Sequence, residues 1–262
     1  MYIPTKARLP RLDQLKIEWR GQQFLLPYLY REGTGEPSVL LVHGLGGAKE
    51  NFHAAFQSPS LADCTLVAFD EPGTGLAVFD PDAELDVSAL AEMTQSVAAQ
   101  LLPGPYFVAG ASMGGLISLL QLRRYGVGRI QGMINLEGTF APRTARFRGA
   151  SYRRSRYAGD QIIAHNMALN VDIRSYYAYS FETVKESDSG HLLKAFLEVP
   201  IPRLFLYGEA NRTLSYLPRL RASSIQVTEI PSSAHFFFYD NPVDTFKAIG
   251  EFVHAALSNN SA

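Results

Sequence analysis

The run Gly110-Ala111-Ser112-Met113-Gly114 sets a serine hydroxyl between two glycines. It follows the apolar stretch Tyr106-Phe107-Val108-Ala109 and precedes Leu116, Ile117, Leu119 and Leu120 at helical spacing. A strand that delivers Gly-x-Ser-x-Gly into a helix is a nucleophile elbow. The glycines let the backbone turn tightly, and the hydroxyl projects clear of the sheet. The five residues alone would also fit a plain glycine-rich turn, but the strand before them and the helix after them favour the elbow. Ser112 is therefore the candidate nucleophile. A serine needs a base to take its proton and donors to hold the oxyanion it creates, so other segments must supply both.

Three segments have suitable residues. Ile230-Pro231-Ser232-Ser233-Ala234-His235-Phe236 places a histidine just beyond a late strand, before Asp240-Asn241-Pro242 and a helix, which makes His235 the candidate general base. Val42-His43-Gly44-Leu45-Gly46-Gly47 and Phe69-Asp70-Glu71-Pro72-Gly73-Thr74-Gly75 are glycine-rich turns after two earlier strands. Such turns leave backbone N–H groups free to face a ligand, as an oxyanion hole requires.

Together, the His-Gly turn, the Asp-x-Pro-Gly-x-Gly turn, Gly-x-Ser-Met-Gly-Gly and the late His-Phe before Asn-Pro resemble the α/β-hydrolase fold, over about Leu40 to Pro242. The resemblance implies a Ser-acid-His chain order and a cap inserted after strand six. It also implies an oxyanion hole made by the amide after the nucleophile, Met113, and one from the His-Gly loop, Leu45. The chain departs from the usual turn at Thr74, where many members have histidine, and at Ala77, near where they often have serine. It departs again at the acid. Many members carry Gly-Glu-x-Asp after strand seven, and here the segment reads Gly208-Glu209-Ala210-Asn211. An asparagine cannot stabilise the imidazolium, and in a known triad that change costs about 10⁴ in turnover. Asn135-Leu136-Glu137-Gly138-Thr139 ends strand six at the same sheet edge, and some members take their acid from there. Glu137 is the favoured acid and Glu209 the alternative, with an acid-free site or an acid supplied from elsewhere as the remaining reading. The plainer readings are a capped or salt-bridged carboxylate for Glu137 and a carboxylate bonding loop backbone for Glu209.

To position these residues, short apolar strands alternate with helical segments, the sign of a mostly parallel sheet covered on both faces. Strands are expected at Ser38 to Val42, Thr65 to Phe69, Tyr106 to Ala109, Ile130 to Leu136, Arg203 to Tyr207 and Ile225 to Ile230. An antiparallel entry hairpin is expected across Leu15 to Tyr30, turning at Gly21-Gln22. Helices are expected at Lys49 to Phe56, Val87 to Leu102, Met113 to Tyr125, Thr213 to Arg221 and Val243 to Leu257. The interval from Phe140 to Val199 breaks this rhythm. The expected division is an α/β-hydrolase core of residues 1–139 and 200–262 with a helical cap of residues 140–199. Within the cap, Tyr152, Tyr157, Tyr176, Tyr177, Tyr179 and Phe181, with Phe236 to Phe238 beside the histidine, are candidates for an apolar acyl or aryl pocket, with Phe236, Tyr176 and Tyr177 favoured; some of these aromatics must simply pack the cap onto the sheet.

Composition narrows the function further. With 262 residues, 47% hydrophobic, the chain can bury one large core. A formal net charge of −1 gives no global attraction for nucleic acid or an anionic membrane. The basic segment Arg143 to Arg156 carries six arginines and no acid, and reads as a solvated cap face or as an anion-recognising patch. No apolar run reaches the ~20 residues of a bilayer span, and no signal-peptide core follows Lys6, Arg8 and Arg11. The lone Cys64 sits in an apolar run as a buried thiol, consistent with a reducing, cytoplasmic setting. No histidine stands at metal-ligand spacing, and the glycines after His43 do not complete a dinucleotide motif, so neither metal nor cofactor is expected. The expected activity is a serine hydrolase that cleaves a carboxylic ester or related acyl bond of a small, partly apolar substrate. Amidase, peptidase, thioesterase, carbon–carbon hydrolase and acyltransferase activities share that machinery, and a non-catalytic receptor shares the fold.

Overall fold

A computed structural model describes residues 9–260 except 36, 81, 139 and 141–153. Along the strand Ser38–Val42, Val39 and Leu41 enter one hydrophobic cluster and Leu40 and Val42 another, all fully buried. A strand buried on both faces reads as a continuous apolar run, and its period of two sends alternate residues into separate cores. The eight strands are β1 (Arg11–Trp19), β2 (Gln22–Arg31), β3 (Ser38–Val42), β4 (Thr65–Phe69), β5 (Tyr106–Ala111), β6 (Ile130–Leu136), β7 (Arg203–Gly208) and β8 (Gln226–Ile230). They form one sheet in the order β1-β2-β4-β3-β5-β6-β7-β8. β1 and β2 are the expected antiparallel hairpin, β2 pairs antiparallel with β4, and every pairing from β4 to β8 is parallel. The carboxyl ends of β3 to β8 therefore lie along one edge, where ligands of open α/β sheets bind.

Helices α1 (Val87–Leu101) and α2 (Met113–Tyr125) cover one face, and the C-terminal helix α7 (Pro242–Asn260) covers the other. α1 starts where the Asp86 carboxylate accepts the Ala89 N–H at 2.7 Å, satisfying one of the free amides of a helix N-terminus. Two expected helices differ from the sequence reading. Lys49–Gln57 winds as a 3-10 helix, because side chains hold both of its ends: Asp70 takes the Lys49 N–H at 2.9 Å, and Arg31 donates to the Phe56 carbonyl at 2.6 Å. The segment expected as one helix from Thr213 shortens to α6 (Leu217–Arg221), with Pro218 in its first turn, a position proline tolerates.

Between β6 and β7 lie α3 (Ala158–Asn170), α4 (Ile173–Asp188) and α5 (His191–Glu198). Phe140 stacks on Phe196 of α5 at 4.8 Å, and both are buried in the main core, so the ends of this interval belong to the packing of the sheet. α3 and α4 lie over the carboxyl edge: Met167 lies against Gly46, Val171 bridges Thr74, and the Asp172 N–H bonds the Gly73 carbonyl at 2.9 Å. Among the described residues, no helix is long and apolar enough to cross a membrane.

Candidate active site

Between β5 and α2 the chain turns so sharply that Ser112 adopts φ 51° and ψ −114°, a region costly for a residue with a Cβ. The neighbouring glycines make the turn possible. A Cβ on Gly110 would stand 2.2 Å from the Gly114 carbonyl oxygen, and one on Gly114 2.2 Å from that of Val42. The Ser112 N–H bonds the Leu136 carbonyl at 3.0 Å, which ties the elbow to the residue immediately before Glu137.

Glu137 is fully buried, with φ +52°. Its Oε1 lies 2.9 Å from Nδ1 of His235 and accepts the side-chain amide of Asn211 at 2.8 Å; its Oε2 accepts the Gly208 N–H at 3.0 Å. Facing a carboxylate oxygen, Nδ1 carries the ring proton and Nε2 keeps a lone pair. The loop after β8 thus reaches back over β7 to a carboxylate at the end of β6, beside the strand that carries Ser112. Asp240 fixes this loop by accepting the Ala234 N–H at 3.0 Å and the Gly159 N–H of α3 at 2.9 Å. The imidazole is 12% exposed and meets the buried Phe236 ring edge-on at 4.8 Å.

Asn211 stands where the family resemblance led one to expect an aspartate. It acts as a donor to the carboxylate on the neighbouring strand, a part that sequence reading did not give it. Pairing an asparagine at 211 with an acid at 137 was the available signal. Glu209 has the plainer role anticipated for it: it accepts the Ser232 N–H at 2.7 Å, lies 3.5 Å from Arg212 and is 39% exposed.

On the other side of the elbow, Gly44 lies against Ser112; a Cβ there would be 3.0 Å from the serine Cβ. The two residues expected to supply oxyanion amides, Leu45 and Met113, are both buried beside that contact. His43 shapes the loop. Its Nε2 accepts the Glu71 N–H at 3.2 Å, so Nδ1 donates to the Gly44 carbonyl at 2.9 Å. Complete burial lowers its pKa and keeps the ring neutral. Asp70 accepts the Lys49 amide, the Lys49 ammonium at 2.8 Å and the Leu76 N–H at 2.9 Å, joining the two glycine turns. Thr74, in place of the frequent histidine, donates its hydroxyl to the Glu71 carbonyl at 2.8 Å.

The expected pocket aromatics separate. Phe236 is buried and Tyr176 half-buried, whereas Tyr177 is 67% exposed and packs edge-on to Tyr176 at 5.8 Å, on the outside of α4. Most of the basic segment, including Arg143, Arg146, Arg148 and Arg153, lies outside the described residues, as does Tyr152; Arg154 and Arg156 are exposed. At the opposite end of β4, Asp63, Cys64 and His254 bring ligand-type atoms within 4.8 Å of one another, a convergence across 191 residues that local spacing does not reveal. Burial pushes the Cys64 thiol up to about 12, which suits a structural thiol.

The model of the alpha/beta hydrolase family matches residues 39–249. Among curated proteins none matches the chain significantly in sequence. A thermophilic esterase from Thermogutta terrifontis superposes with a TM-score of 0.74 at 20% identity, covering 93% of this chain and 99% of that one. A hydrolase from Pseudomonas aeruginosa gives 0.69 at 19% identity, covering 92% and 97%. The N-acyl homoserine lactonase AidH gives 0.71 at 17% identity, covering 94% and 98%. These likenesses cover more than nine tenths of this chain and show a shared fold, and the family model matched over residues 39–249 places the chain in the alpha/beta hydrolase family.

Proposed function

We propose that the protein is a serine hydrolase that cleaves a carboxylic ester, or a related acyl bond, of a small and partly apolar substrate. The observation that carries this reading is the 2.9 Å contact between Glu137 and Nδ1 of His235, with Asn211 and Gly208 as further donors to the same carboxylate. A carboxylate bonded to Nδ1 fixes the imidazole tautomer and would stabilise the imidazolium that forms when Nε2 takes a proton. Retention of Ser112 and His235 together with this carboxylate argues against a non-catalytic receptor.

In the proposed mechanism His235 Nε2 takes the Ser112 proton as Oγ attacks the carbonyl carbon, and the amides of Leu45 and Met113 hold the oxyanion. Nε2 then gives its proton to the leaving group, whose bond to the acyl carbon breaks. Water, deprotonated by the same nitrogen, releases the acid and restores Ser112. A fluorophosphonate probe tests the covalent step. The expected result is one adduct, on Ser112, absent from Ser112→Ala. A folded wild-type sample that resists labelling would overturn the reading.

A further inference from the structure

Glu71 follows β4 at the carboxyl edge and is 1% exposed. Among the described residues neither of its carboxyl oxygens has a hydrogen-bond partner. The donors around it are committed elsewhere. His43 Nδ1, 3.9 Å away, faces the Gly44 carbonyl; the Tyr179 hydroxyl donates to the Pro72 carbonyl at 3.0 Å; Thr74 donates to the Glu71 main chain; and the Lys49 ammonium is held by Asp70 and Glu50. Burial first, and the Asp70 charge second, push the Glu71 carboxyl well above the usual carboxylate range. A buried polar group without partners is costly, and an apolar side chain would pack there at less cost.

Its position suggests what the group is for. In the strand order β8-β7-β6-β5-β3-β4, Glu71 and His235 stand on opposite flanks of Ser112, with the oxyanion loop on the Glu71 side. In the reaction proposed above, the leaving group must face the histidine that protonates it, so the acyl part extends toward the other flank. We propose that Glu71 is a specificity-determining residue that receives a hydrogen-bond donor on the acyl part of the substrate: a hydroxyl, an amide N–H or an ammonium. The assignment rests on the serine-hydrolase reading.

The test compares wild type, Glu71→Gln and Glu71→Leu on the methyl esters of butanoic, 3-hydroxybutanoic and 3-aminobutanoic acids, read as ratios of kcat/KM. Wild type should favour one donor-bearing ester over the plain one about tenfold, and Glu71→Leu should erase that ratio. A preference for the amine that Glu71→Gln also loses identifies an ion pair. A preference for the hydroxyl that Glu71→Gln partly keeps identifies a neutral hydrogen bond. Equal turnover of the three esters by wild type, or a ratio unchanged in Glu71→Leu, overturns the proposal; a purely structural role would lower all three rates together. The hydrolase reading itself is decided separately, by fluorophosphonate labelling of Ser112, whether or not wild type turns over these three esters. Should it turn over none, dissociation constants of the same esters on Ser112→Ala, by calorimetry, decide Glu71 by the same ratio.

Discussion

Glu137 and Glu71 are the same residue type, both buried, at the ends of neighbouring parts of one sheet, and their surroundings are opposite. The Glu137 carboxylate accepts from His235, Asn211 and Gly208, whereas the Glu71 carboxyl accepts from no described residue. Bonds to the charged form favour an ionised carboxylate even in a dry site, and without them burial favours the neutral acid. Burial holds the Glu71 carboxyl well above its usual range.

The comparison is broken most severely at Glu137. Glu137→Gln keeps the shape but loses the charge, and kcat for a responsive ester should fall about 10⁴-fold with the fold intact by circular dichroism. Glu209→Gln, on an exposed loop contact, should stay within about twofold. The converse change at Glu71 acts on stability. Its folded pKa lies above the unfolded value, so the folded state holds a proton that the unfolded chain releases, and wild-type stability falls as pH rises from about 4.5 toward the folded pKa. Glu71→Gln removes that titration. Urea unfolding should show no gain at pH 4 and a gain over wild type growing by roughly 1 kcal/mol per pH unit above 4.5. The effect at Asn211 is intermediate. Asn211→Leu removes one described donor to Glu137, and should lower kcat about tenfold with little change in KM.

The strands β3 to β7 were readable because they are largely apolar runs that end in turns with glycine, and Ser112 and Glu137 fall where those turns lie, with His235 in the loop after β8. Charge state and partner choice were less readable. Asp70-Glu71 reads as a charged pair in a turn, yet Asp70 is enclosed by three donors and Glu71 by none, which depends on Lys49 and Leu76 converging from other segments. Asn211 looked like a lost acid because its partner lies 74 residues away. The 3-10 geometry of Lys49–Gln57 depends on Arg31 and Asp70, again outside the local window.

The helices over the site are fastened at both flanks. At one, the Gly159 amide is held by Asp240 beside His235; at the other, the Asp172 amide and the Tyr179 hydroxyl are held by the β4 turn beside Glu71. The turns that flank Ser112 on the sheet edge therefore also anchor the helices above it, so the loops that set the site and the cover over it share the same hydrogen bonds.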